Sequence, residues 1–215
     1  MVADLEEFSD ESSHDAALLP QETARLKLDL PRKDDLADIV FLANNRRVAA
    51  MLATMPHPFT LEDARRMVAR AENNGTERAT FAVRLKSTGR FIGSVGFGSF
   101  EAGGPVQIGY WIGEPFQGQG YATEAVQTLV DHVFEATPIA RLDANVRVIN
   151  PPSRRVLVKS GFQYRDQSML VSKGAGGSVP VERFCLDRGT WDALKRWGAR
   201  NRLARSRFPA LAIRE

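Results

Sequence analysis

The 215-residue chain has one cysteine, Cys185, and three histidines, His14, His57 and His132. A single thiol excludes an internal disulfide framework. So few scattered histidines exclude a dense Cys/His zinc site, and no metal is expected. Long apolar runs are missing as well. The longest stretch without Asp, Glu, Lys or Arg, Val48 to Leu61, is interrupted by Pro56 and Pro58, which is too short and too broken to span a bilayer. The first eight residues contain Asp4, Glu6 and Glu7 and no base, where a signal or transit peptide would be basic. A cytoplasmic protein without a membrane partner is the expectation. Three common signatures are also absent: the GxxxxGK[ST] phosphate loop, the GxGxxG dinucleotide fingerprint and the GxSxG nucleophile elbow. What is present is ordinary globular material, 43% hydrophobic and 26% charged. That composition suffices for a real core and excludes a wholly disordered chain. The length fits one domain with decorated ends.

The net charge of +3 is unevenly spread. Residues 1–23 hold seven acids and neither Lys nor Arg, whereas in residues 188–215 eight Lys or Arg oppose Asp192 and Glu215. The acidic segment has no periodicity and reads as a disordered arm, 1–23. The folded domain is then 24–198 and the basic tail 199–215. Such a tail forms a solvated helix face, or touches RNA, the ribosome or an acidic partner. No aromatic RNA-binding motif accompanies it.

Between these ends the pattern alternates. Leu26, Leu28 and Leu30 keep strand spacing, and Leu36, Ile39, Val40 and Ala43 keep helical spacing. Thr60 and Asp63 form a capping-box pattern ahead of a helix with Leu61, Ala64, Val68 and Ala71 on one stripe. Phe81 to Leu85, a turn at Ser87–Gly89, and Phe91 to Phe100 predict a hairpin, and Val106 to Ile112 a third antiparallel strand. The period then becomes helical from Ala122 to Phe134, with His132 on the polar side. Leu142 to Val148 alternate again, so strand, helix and strand make a right-handed crossover with parallel strands. Ser153 reads as the N-cap and Gly161 as the C-terminal glycine of a short helix. A long hairpin, Phe162–Ser172 and Val179–Leu186, follows; its exposed edge would permit a homodimer.

The chemistry concentrates in Glu114-Pro-Phe-Gln-Gly-Gln-Gly-Tyr-Ala122, which joins a strand to the long helix. Gly118 and Gly120 let successive backbone N–H groups face one point, and the helix start adds a positive dipole end. No Lys or Arg lies in this loop, so an anion there is held by backbone N–H groups, which suits a pyrophosphate. Gln117-x-x-Gly120-x-Ala122 matches the Q/R-x-x-G-x-G/A acetyl-CoA motif, and the sequence resembles the GNAT N-acetyltransferases. The longer string GYWIGEPFQGQGYATEA resembles their RimJ/RimL-type branch, which acetylates ribosomal-protein N-termini. Asn150-Pro-Pro-Ser153 followed by Lys159-Ser-Gly-Phe162 resembles that branch's N-x-x-S…K-x-G-F segment. Ala24 to Leu28, Pro56 to Asp63 and Trp191 are supporting likenesses, and the whole covers residues 24–195. The two prolines after Asn150 are a small departure from the pattern.

The resemblance implies an α/β fold with a central mixed twisted sheet of about seven strands, flanking helices and a V-shaped cleft where two strands splay. It implies transfer of acetyl from acetyl-CoA to a primary amine by direct attack through a tetrahedral intermediate. A protein or peptide N-terminal α-amino group is the expected acceptor. A small-molecule acceptor (an antibiotic, polyamine or amino acid) and a non-catalytic CoA- or RNA-binding module are the alternatives. Pantetheine would pair with the backbone near Ile112, and the pyrophosphate would lie on Gln117, Gly118, Gln119, Gly120, Tyr121 and Ala122. Asn150 would bond the pantetheine, and Ser153 would donate to the thiolate leaving group. A backbone N–H near Trp111 or Ile112 would face the oxyanion. Glu101 is the candidate base and Glu114 a weaker one. His57 is the candidate substrate contact, Tyr110 reads as core, and Cys185 as a small buried hydrophobe rather than an acyl carrier.

Overall fold

The computed structural model describes residues 21–99 and 103–207, with side chains to residue 198. In chain order the strands are β1 Gln21–Glu22, β2 Leu26–Asp29, β3 Ala79–Leu85, β4 Phe91–Ser99, β5 Val106–Ile112, β6 Arg141–Arg147, β7 Gln163–Ser172 and β8 Gly177–Asp187. The helices are α1 Leu36–Ala43, α2 Arg46–Ala49, α3 Leu61–Ala71, α4 Tyr121–Ala136, α5 Pro151–Lys159 and α6 Arg188–Arg207. All strands join one mixed sheet, ordered β1-β2-β3-β4-β5-β6-β8-β7. The first five pair antiparallel, β6 runs parallel to β5 after the α4 crossover, and β8 is seated between β6 and β7.

Both faces of the meander are covered. On one face Leu28, Phe81, Val83 and Val95 meet Val126, Leu129 and Phe134 of α4. On the other, Ala82 and Phe91 meet Ile39 and Leu42 of α1 and Ala64 and Val68 of α3. Each such large side chain contributes roughly 1.5–3 kcal/mol on burial. The Thr60–Asp63 capping box forms reciprocally and starts α3 where the residue pattern placed it. A buried clasp fixes β2 to β3: Arg84 sits between Asp29 at 2.6 Å and Asp35 at 2.5 Å. Burial works against the Asp35 carboxylate, but the hydrogen bonds from Arg84 prevail and hold it below the usual carboxylate range.

Several sequence expectations change. Leu30, Leu61 and Val148 leave the apolar faces assigned to them and are 37%, 44% and 37% exposed. β2 ends at Asp29, β6 ends at Arg147, and Leu61 is the first residue of α3. His132 is buried, not on a polar face, and meets the Phe81 ring edge-on at 5.8 Å; α4 lies close enough to β3 to cover its flank. The sheet has eight strands because Gln21 and Glu22 pair with Leu28 and Lys27, inside the segment read as an arm. The N-cap of α5 is Asn150, whose side chain accepts from the Ser153 N–H, so Ser153 stands inside the first turn. Gly161, at φ +90, ends that helix as expected. The last helix runs through residue 207, across the start of the basic segment. His14, with residues 1–20, Glu101 and residues 208–215 lie outside the described residues. Among the described residues no helix is long and apolar enough to cross a membrane, and no cluster of three or more His, Cys, Asp or Glu could hold a metal.

Candidate active site

β5 and β6 touch at one register pair, Gln107 with Asp143, and then part. The Gly113 N–H donates to the Ile92 carbonyl. Given the register Gly93–Ile112 and Ser94–Trp111, the antiparallel ladder directs Trp111 and Gly109 at β4 and leaves the N–H and C=O groups of Tyr110 and Ile112 facing the gap. Trp111 is therefore not a donor to the gap, and Tyr110 and Ile112 are. The Gln117 side-chain amide takes the Ile112 carbonyl at 2.8 Å and anchors the following loop to the strand end.

That loop turns through Gly118 at φ +77 and Gly120 at φ +84, where only glycine is unstrained. A Cβ on Gly118 would meet open space, and Gly118 and Gly120 both line the cleft that runs through this gap. No side chain caps the start of α4, so its first N–H groups remain free for an anion. Although the loop has no base of its own, the fold brings one. Arg25 donates from Nη1 to the Gln119 carbonyl at 2.9 Å and from Nε to Glu124 at 2.7 Å. Its guanidinium also lies 4.7 Å from the centre of the Tyr121 ring. Burial pushes the Glu124 carboxyl up, but hydrogen bonds from Thr23 and Arg25 outweigh it and hold the group ionised below its ordinary range.

Across the gap, the Tyr110 hydroxyl lies 2.7 Å from Ser153 Oγ and 3.1 Å from the Ser153 carbonyl oxygen. Tyr110 is thus not a plain core residue. Burial pushes its phenol up to about 12, so it stays protonated.

One cleft of about 1280 Å³ runs through the gap. On the α4–α5 side it is lined by Gln117, Gly118, Gly120, Ala122, Asn150 and Ser153; on the α2–α3 side by Phe59, Met67, Trp111, Arg147 and Val181. Ile112 also lines it, so most of the residues singled out for the cofactor share one surface. Gln119 and Tyr121 do not; they serve as contacts for Arg25. His57 is exposed and outside the lining, although its neighbours Pro56 and Phe59 are within it. Glu114 lines the cleft but is bonded first by Asn45 and then by Arg47, which holds it below the usual carboxylate range. Cys185 is buried in β8, as its position in an apolar strand predicted.

The family model described as the acetyltransferase (GNAT) domain matches residues 25–163, and the chain belongs to this family of acetyl-CoA-dependent N-acetyltransferases. An uncharacterised N-acetyltransferase of Bacillus licheniformis, p20, is 32% identical over 133 residues, 60% of this chain and 75% of that protein. The ribosomal-protein-serine acetyltransferase of Escherichia coli strain K12 is 36% identical over 72 residues, 33% of this chain and 40% of that protein. The structure of Mycobacterium smegmatis RimJ in complex with CoA-disulfide shares the fold, with TM-score 0.63 and 22% identity over 80% of this chain and 90% of that one. Within the family these likenesses are consistent with the RimJ/RimL-type branch.

Proposed function

We propose that the enzyme acetylates α-amino groups, as at a peptide or protein N-terminus. The observation that carries this reading is the state of the acids in the cleft. Among its described lining residues these are Asp63 and Glu114. Asp63 is held low by Thr60, then by Arg66, and Glu114 by Asn45 and Arg47. Neither is free to take a proton. A site so equipped suits an amine that is already partly neutral. An α-amino group has a pKa of about 7.7–8.0 against about 10.4 for lysine. Near pH 7.5 about a third of α-amino groups are neutral and about a thousandth of lysines, a difference of about 3.5 kcal/mol. The identity to a ribosomal-protein-serine acetyltransferase supports the same acceptor.

Acetyl-CoA, when bound, supplies the activated acetyl thioester. The residues present fit it: the N–H groups from Gly118 to Ala122 would hold the pyrophosphate, and the backbone of Tyr110 and Ile112 would pair with the pantetheine as an added strand. The side-chain amide N–H of Asn150, whose oxygen caps α5, would donate to the same arm. An N–H of Tyr110 or Ile112 supplies a fixed dipole where charge develops on a carbonyl oxygen. Ser153 Oγ holds a proton on the cofactor side of the gap, backed by the protonated Tyr110 hydroxyl.

Mass spectrometry on paired peptides tests the acceptor. Peptides with a free N-terminus should be acetylated there, and the same peptides with a blocked N-terminus and a free lysine should be poor acceptors. Efficient lysine acetylation on blocked peptides would reject the reading and turn attention to Glu101 as a base. Turnover confined to small amines would make the enzyme a small-molecule acetyltransferase.

A further inference from the structure

The α2–α3 side of the cleft carries more positive charge than its own acids neutralise. Asp63 pairs with Arg66 at 2.5 Å and Glu114 with Arg47 at 2.8 Å. Arg70, Arg147 and Lys173 also line the cleft, and among the described residues no ion pair engages them. Arg147 is the one set into the sheet. Its neighbours in alternation, Ala144 and Val146, enter the core beneath α4, so its side chain projects from the opposite face. There Nη1 donates to the Ala50 carbonyl at 2.6 Å, while Nε is buried without an acceptor. The result is a half-buried guanidinium held in place through Nη1, with no carboxylate partner among the described residues. A fixed, always-charged guanidinium lining the cleft offers its remaining N–H groups to a carboxylate as charge-assisted donors.

We propose that Arg147 receives a carboxylate of the acceptor, so that the enzyme selects α-amino groups followed closely by Asp or Glu. The proposal rests on the α-amino reading above and names its substrate class: acidic peptide N-termini. Arg70 and Lys173 add attraction at the rim, and the same charges oppose a polycationic amine.

The test uses the full chain and three peptides that differ at their second and third positions, carrying Asp, Asn or Lys there. The ratio of kcat/KM for the Asp peptide over the Asn peptide should be on the order of tenfold, falling as salt rises. Arg147→Gln should bring that ratio close to one and Arg147→Lys should retain part of it, with CoA affinity by calorimetry unchanged in both. A merely structural arginine would lower the Asp and Asn peptides alike. A wild-type ratio near one, or a ratio that survives Arg147→Gln, overturns the proposal. If a variant fails to bind CoA, the wild-type ratio and its salt dependence decide. If no peptide is acetylated, the α-amino peptide reading falls, and aspartate against spermidine as acceptor decides the charge proposal separately: preference for aspartate sustains Arg147 as the carboxylate site, and preference for spermidine rejects it.

Discussion

At the residue scale two hydroxyls, those of Tyr110 and Ser153, meet at the gap. Ser153 was legible as a candidate because a serine four positions into Asn-Pro-Pro-Ser stands at a helix start. Its partner was not, because Tyr110 alternates with apolar residues, and alternation cannot distinguish a ring that packs from a ring whose hydroxyl reaches across a gap. With Asn150 acting as the cap, Ser153 is relieved of that duty, so Ser153→Ala should cost little stability. It should lower turnover by about 10²-fold at near-unchanged acetyl-CoA affinity; a variant that melts earlier but keeps its turnover would show a purely structural serine. The pH profile follows from the same residues. Tyr110, pushed up to about 12, stays protonated across the working range, and Asp63 and Glu114, both held low, stay ionised. With these three described cleft residues fixed in charge, the group set to titrate near pH 8 in the reaction is the acceptor amine, which reacts when neutral, so kcat/KM should rise with pH through the amine's own pKa of about 7.7–8.0. The rising limb should move when the N-terminal residue of the peptide is changed to one with a different amine pKa. A limb fixed in place for every peptide would point to a titrating group on the enzyme.

At the scale of elements, local chemistry was readable and distant pairing was not. The capping box at Thr60, the turn at Gly89 and the C-terminal Gly161 each depend on residues within a few positions, and each stands where the sequence placed it. The loop between β5 and α4 looked devoid of cations for the same reason: Arg25 reaches it from 99 positions before Glu124, and no local pattern encodes that approach. This contact carries a consequence for binding. Glu124 is ionised in the first turn of α4, beside the position assigned to a pyrophosphate, and Arg25 is its counter-charge. Arg25→Met would leave that carboxylate uncompensated and free the Gln119 carbonyl. CoA affinity should fall by about tenfold, with turnover at saturating acetyl-CoA little changed. Adding Glu124→Gln to the same chain should recover part of the lost affinity, since the repulsion goes with the charge. If calorimetry shows the single variant binding CoA as tightly as the parent, Arg25 has no role in shaping the loop.

For the whole molecule, the cleft exists because segments far apart in sequence close on one another. The splay of β5 and β6 opens it, and the tip between β7 and β8 roofs its α2–α3 side. Ser172 Oγ donates to the Leu52 carbonyl at 2.7 Å, and the Lys173 N–H to the Ala53 carbonyl at 2.8 Å. The glycine run at this tip read simply as a hairpin turn. Its packing role depends on what it meets: a Cβ on Gly174 would stand 2.1 Å from the Ala49 carbonyl oxygen and 2.9 Å from that of Met55. Both are backbone atoms, so a side chain there must lift the tip. The α4–α5 side, with the loop and Ser153, lies on the other face of the sheet and takes no part in this closure. Gly174→Ala should therefore raise KM for the peptide acceptor several-fold while leaving CoA affinity as it was, the reverse of the Arg25→Met pattern. Steady-state kinetics with each substrate varied in turn, together with CoA calorimetry, distinguishes the two signatures. Gly174→Ala weakening CoA and acceptor equally would mean that the two sides of the cleft do not behave as separate binding faces.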